Sequence, residues 1–133
     1  MTKTLTLLLC SACFLMMLSS CLSTEQKMLK KDVEVLNQNL PAEVAGITIV
    51  TAAYDTETDI VTLELYAENS LSALAASKTP ALVQQGLIVY LKSTDWGSDF
   101  LTSVRKANVT LKCPCYDESD NEIITLNIPP EDL

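Results

Sequence analysis

Histidine is missing from all 133 residues. Without imidazole there is no Ser-His or Cys-His nucleophile pair, and no histidine ligand for zinc or copper. Glycine is scarce, with three in the chain, so glycine-rich loops that cradle phosphate are excluded. No G-x-S-x-G elbow occurs either. Positive charge is the third shortage. Nine Lys and Arg face seventeen Asp and Glu, for a net charge of −8. Nucleic-acid binding neutralises phosphates with basic side chains, so such a field argues against it. The one long apolar run, Leu5 to Leu18, falls short of the roughly 20 residues a spanning helix needs. Together these shortages leave little room for an enzyme, and no cofactor or metal is implied.

What is present begins with that run. Lys3 gives a small positive head, Leu5 to Leu18 an apolar stretch of signal-peptide length, and Leu18-Ser19-Ser20-Cys21 the end. The last four residues resemble the bacterial lipobox. The resemblance implies a lipoprotein signal peptide over residues 1–20 and a lipid chain on Cys21. Residues 21–133 then form a single α+β domain held at a membrane of the bacterial cell envelope, at the outer membrane or the periplasmic face. An ordinary secretory peptide cut near Ser20, or a retained apolar helix, is the alternative reading. Lys3 is the only charged residue of the leader, so the remainder sets eight basic residues against seventeen acidic ones. A polybasic membrane anchor is excluded, and the acyl chains must hold the protein.

Ser23-Thr24-Glu25-Gln26 matches a capping box, and Leu29, Val33, Leu36 and Leu40 follow at helical spacing. Pro41 ends that helix. Ile47 to Tyr54 and Ile60 to Tyr66 alternate as strands around the polar turn Asp55 to Asp59. The spacing puts Val61, Leu63 and Leu65 on the buried face. Asn69 to Lys78 is ambiguous, a loop with at most a loose helical turn. Thr79-Pro80 opens a second helix, with Val83, Leu87, Tyr90 and Leu91 inward. Asp95-Trp96-Gly97 is expected to break or kink it before a further piece carrying Phe100, Leu101 and Val104. Asn108 to Tyr116 and Glu122 to Ile128 read as the third and fourth strands. The order α-β-β-α-β-β suggests a four-stranded antiparallel sheet with the helices packed on one face. Pro114 cannot donate to a ladder and marks its strand as partly an edge.

Leu36-Asn37-Gln38-Asn39-Leu40-Pro41, followed by a hairpin, resembles the helix end of a group of small, uncharacterised bacterial envelope proteins. Ala107 to Lys112, Tyr116-Asp117 and Ile123 to Ile128 resemble the second half of that group. Aromatic residues often occupy the third strand there, where this chain has Cys113 and Cys115. The resemblance concerns fold and implies no activity.

Of the five cysteines, Cys10 and Cys13 leave with the leader and Cys21 is assigned to lipid. Cys113-Pro114-Cys115 puts two thiols on one face of a strand. They read as core residues, as a strained disulfide, or as two soft metal ligands short of a full set. The acidic run Asp117 to Glu122 lacks the spacing of a calcium loop and reads as a solvated turn. Tyr90, Trp96 and Phe100 read as a plug at the helix corner, or as an exposed aromatic anchor for a partner. The expected function is a lipid-anchored, non-catalytic binding module for an envelope protein. The alternative is a thiol redox or metal-binding envelope protein using Cys113 and Cys115. The expected docking surface is the open sheet face around Val50 and Tyr66.

Overall fold

The structure is a computed structural model that describes residues 22–133. The expected signal peptide and Cys21 lie outside the described residues. The first helix, α1, runs Thr24–Gln38. Both bonds of the capping box are made: Gln26 N–H donates to Ser23 Oγ at 3.1 Å, and Ser23 N–H to Gln26 Oε1 at 3.0 Å. Leu29, Val33 and Leu36 are its buried stripe, as the spacing requires.

Three strands follow: β1 Ala42–Val44, β2 Ile47–Asp55 and β3 Ile60–Ala67. The chain then makes α2 Ser70–Lys78, α3 Pro80–Lys92 and α4 Asp95–Ala107, and returns through β4 Thr110–Tyr116 and β5 Glu122–Ile128. A 3-10 turn, Pro130–Asp132, closes the chain. The ambiguous stretch is therefore a helix, capped by Asn69, whose side chain accepts from Ser72 N–H at 2.9 Å. Thr79 starts α3 without a side-chain cap, because its hydroxyl donates back to the Ala75 carbonyl at 2.7 Å. The break before α4 falls at Ser93-Thr94 rather than at Gly97, since Thr94 caps α4 by accepting from Gly97 N–H.

The class is α+β, but the sheet differs from the expected four antiparallel strands. It has five strands in the order β1-β2-β3-β4-β5, and β4 runs parallel to β3. The reason lies in the connection. Three helices carry the chain from the end of β3 back to the level of its start, and a strand entering there can only lie parallel. The apparent pair of helix-plus-hairpin units is thus one continuous mixed sheet.

Pro114 is also placed differently from expectation. It sits in an interior strand, buried, between β3 and β5. The ladder with β3 pairs Thr62 with Lys112, skips, and resumes at Leu65 with Cys115. Proline has no N–H to offer in that gap, so the missing donor interrupts the ladder without turning the strand into an edge.

Inward side chains form rows across the sheet, Ile49–Leu65–Cys115–Ile124 and Tyr54–Val61–Leu111–Ile128. Against them pack Leu87 and Leu91 of α3 and Phe100 and Val104 of α4, in one core with the α1 stripe. Val61, Leu63, Leu65, Val109 and Leu111 are all buried, as expected. Thr62, Glu64 and Tyr66, on the other face of β3, are only half-buried. Among the described residues no helix is long and apolar enough to cross a membrane.

Candidate functional site

Cys113 and Cys115 are free thiols, both buried on the inner face of β4. Leu126 and Ile124 are their respective partners on β5. Burial pushes the Cys113 thiol up to about 12, helped by the neighbouring Cys115, and raises Cys115 as well. Thiol chemistry and metal ligation both need the thiolate, and this environment keeps the proton on. Among the described residues, no group of three or more Cys, Asp or Glu comes together as a metal set.

Val50 and Tyr66 share the sheet face away from the core, with Tyr66 opposite Thr48 and Val50 two residues further along β2. Val50 is exposed at a bulge that shifts the β2 register between Ile49 and Thr51. The bulge makes Val50 and Thr51 both exposed and returns Ala52 to the core. Tyr66 reaches the turn between β4 and β5. Its hydroxyl lies 3.2 Å from both the Glu118 carbonyl and Asp120 Oδ1. Desolvation first, and then the bond to Asp120, raise its pKa.

In each acidic turn the first carboxylate is taken up by the turn's own backbone. Asp55 Oδ1 accepts from Glu57 N–H at 2.9 Å, and Asp117 Oδ1 from Ser119 and Asn121 N–H at 2.9 Å each. Those backbone bonds hold Asp55 below the usual carboxylate range. At the helix corner Phe100 is fully buried, while Tyr90 and Trp96 meet edge to face with centroids 6.2 Å apart. This is the packing of a plug.

The feature missed from the sequence is an apolar cleft of about 160 Å³ between α3 and the β1–β2 hairpin. Val44, Ala45 and Ile47 form one wall, and Leu82, Val83 and Gly86 the other. Ile49 and Leu65 belong to its floor. Ala45 and Gly46 both have positive φ, which makes the tight two-residue turn that sets the first wall. Gly86 has no side chain and open space where one would be, so the α3 wall is notched there.

Around this cleft the surface is unusually poor in charge. From Ser70 to Leu91 only Lys78 is charged. Leu71 is 78% exposed, Leu82 63% and Val89 62%. Such isolated positions are ordinary one by one, but a charge-depleted pair of helices beside an apolar cleft has the composition of an interface centre. The signal was in the sequence, in the run between Ser70 and Leu91. Its meaning depended on Val44 to Ile47 arriving opposite.

A second hollow, about 410 Å³, lies between α1 and α4. It is lined by Glu25, Asp32, Asp99, Ser103 and Lys106 among others, and Ser103 donates to Asp32 across it. It is a furrow of mixed character between packed helices, with exposed Met28 in its wall.

No family model matches the chain, and no curated protein matches it. Solved structures do share its fold. A protein assigned as secreted in Pseudomonas aeruginosa is 13% identical, with a TM-score of 0.55 over 84% of this chain and 97% of its own. The type II secretion system pilotin AspS of Vibrio cholerae is 12% identical, with a TM-score of 0.54 over 82% and 92%. The pilotin EpsS of the Vibrio vulnificus type 2 secretion system is 15% identical, with a TM-score of 0.55 over 81% and 90%. At such identities the likeness is one of fold.

Proposed function

We propose that this chain is a lipid-anchored, non-catalytic binding module of the bacterial cell envelope, in the manner of a secretion pilotin. It holds an apolar segment of another envelope protein in the cleft between α3 and the β1–β2 hairpin. The observation that carries the reading is the cleft itself, apolar on both walls and set in a surface with one charge in twenty-two residues. The volume accommodates one or two aliphatic side chains, which is what a protein segment would insert. The fold shared with two pilotins supports an envelope accessory role. Burial of both thiols favours this reading over a redox or metal function at Cys113 and Cys115.

The lipid and the cleft would lie at opposite ends of the domain. Only Leu22 separates Cys21 from the Ser23 cap of α1. The first turn of α1 touches the β2–β3 turn, where Gln26 Nε2 donates to Asp59 Oδ1 at 3.4 Å. The cleft is at the other end of β2, at Ile47, about 25 Å away at roughly 3.3 Å per residue. Anchoring at Cys21 would then turn the cleft away from the lipid.

The test is cross-linking in native membranes with a photoreactive residue at Val89, exposed on α3 two turns beyond Leu82. An adduct with a protein that vanishes in Leu82→Asp, while Cys113→Ala/Cys115→Ala keeps it, supports the reading. Adducts that ignore Leu82→Asp, or turnover of any substrate by the purified protein, would remove it.

A further inference from the structure

We infer that the outer edge of β5 takes up an extended segment of a partner protein as an added strand, one with aliphatic residues at alternate positions and Lys or Arg at its ends. This surface is separate from the cleft, and the two stand independently. The sheet order leaves β1 and β5 at its borders. The chain itself closes the first border, since α1 lends Asn37 to the backbone of Ala52 where β1 no longer covers β2. Among the described residues, β5 pairs with β4 alone. From Glu122 to Ile128 it holds no Lys, Arg or Pro. Those are among the residues that blunt an exposed edge. Only a bulge at Ile123, between the pairs Tyr116–Glu122 and Cys115–Ile124, interrupts it.

Pro114 fixes which backbone groups of β5 are free. Opposed residues of an antiparallel ladder alternately exchange both backbone bonds or neither. Asp117 N–H donates to the Asn121 carbonyl at 2.9 Å, so Cys115 and Cys113, at two-residue steps from it, turn their backbone toward β5. Lys112 and Pro114 face β3 instead, and their partners Asn127 and Thr125 exchange no bond with them. The N–H and C=O of Thr125 and Asn127 therefore point out of the free edge. On the helix side of this edge, a hollow of about 320 Å³ lies between α2 and the β4–β5 turn, with Ala73, Leu74 and Ile123 among its walls. A strand added about 4.8 Å beyond β5 would turn alternate side chains toward that hollow and the exposed Leu74.

Acids stand at both ends of β5. Glu118 and Glu122 are exposed at its start, and Glu131 and Asp132 are exposed in the 3-10 turn after its end. The strand between them carries no charge. A second copy of β5, laid antiparallel, would set the acids at its start against Glu131 and Asp132 of the first, so self-pairing is opposed. A segment with Lys or Arg at each end meets these acids, while its middle meets the free backbone and the hollow.

The experiment uses full-length protein in phosphatidylcholine nanodiscs and labelled synthetic peptides in which Val and Thr alternate. One peptide has Lys at both ends, a second has Glu, and a third is the Lys peptide with its central amides N-methylated. Fluorescence anisotropy should show the Lys peptide bound about tenfold more tightly than the Glu peptide, as exposed ion pairs at two ends allow, with the gap shrinking in salt. The methylated peptide should bind about tenfold more weakly than its parent, because it cannot donate to the edge. Thr125→Pro removes an outward N–H and no ladder bond, so it should weaken the Lys peptide to the same degree with circular dichroism unaltered. Leu82→Asp should leave binding unchanged.

Equal affinity of the Lys and Glu peptides, undiminished binding of the methylated one, or no binding at all would overturn the inference and leave the cleft reading intact. Undiminished binding to a folded Thr125→Pro protein would do the same; should that variant misfold, the methylated peptide decides alone. Binding that Leu82→Asp removes would seat the peptide in the cleft, which upholds the cleft reading and overturns this one. Self-association that is lost in Thr125→Pro would assign the edge to a second copy of the chain and overturn it as well.

Discussion

Asn37 does for β2 what a neighbouring strand would do. β1 covers β2 only from Ile47 to Ile49, which leaves the backbone at Ala52 without a strand partner on that side. Asn37 supplies one: its Nδ2 donates to the Ala52 carbonyl and its Oδ1 accepts from Ala52 N–H, both at 2.8 Å. An amide side chain is the right mimic because it holds a donor and an acceptor in one plane. Asn37→Ala should destabilise the domain by about 1–3 kcal/mol, since it strands two part-buried backbone groups. A urea melt would read this as a lower midpoint with unchanged slope. Asn37→Asp keeps the acceptor and loses the donor, so it should fall between the two. Asn37 stands in the Leu36 to Pro41 stretch that carried the sequence resemblance, yet the sequence alone gave it no role beyond the helix end.

The two thiols make the second prediction at this scale. The Cys113 pKa is raised from 9.0 to about 12 in the folded protein. The unfolded chain releases that proton first, so it binds fewer protons than the folded state above pH 9. The stability associated with Cys113 is therefore full below about pH 9 and declines toward pH 12. Reaction with a thiol reagent at pH 8 should be slow in the native domain, and unfolding should release both thiols at once. Fast labelling of a fully folded sample would contradict the burial. The candidate pair was legible as two residues on one strand face. Its inertness was not, because that depends on α3 and α4 closing over β4.

Among the elements, the β1–β2 hairpin and the α3–α4 corner are the most demanding. Ala45 has φ 49° and Gly46 φ 83°. The left-handed region costs an alanine about 1–2 kcal/mol, whereas Asn-Gly is the favoured pair for such a turn. Ala45→Asn should therefore raise stability by about 0.5–1 kcal/mol, visible as a higher melting temperature. An unchanged or lower value would mean that Ala45 is held by contacts in the cleft rather than by its turn. Gly97 is the opposite case. It is buried in the first turn of α4, and a Cβ there would strike the Leu91 carbonyl and lie 2.8 Å from Leu91 Cα. Backbone cannot yield as a flexible side chain can, so Gly97→Ala should cost about 1–3 kcal/mol even though alanine is the better helix former. The sequence marked Gly97 as a helix breaker. In the fold it is a helix residue, kept small so that α3 can pass close by.

At the scale of the whole molecule, the predictions concern attachment and orientation. If Cys21 carries the anchor, Cys21→Ala should leave the domain folded and move it out of the membrane fraction, because stable anchoring needs the acyl chains. Correctly processed protein that stays with membranes would refute the lipobox reading. In liposomes, a fluorophore at Glu57 on the β2–β3 turn should be quenched by a bilayer-surface quencher far more than one at Ala45. Equal quenching would mean that the domain lies flat on the lipid.

Local pattern was enough for much of this chain. The Ser23 capping box, the α1 stripe, the alternation in β3 and the apolar face of β4 are each written in a few adjacent residues, because helix and strand periods are local properties of the backbone. The absence of histidine and the excess of carboxylates likewise bound the chemistry before any fold exists. Sheet topology was beyond such reading. Whether β4 lies parallel to β3, and whether Pro114 stands inside the sheet, depends on where three helices deliver the chain, and no window of sequence contains that distance. The cleft was hidden for the same reason: Val44 and Leu82 are thirty-eight positions apart, and only tertiary packing sets them face to face.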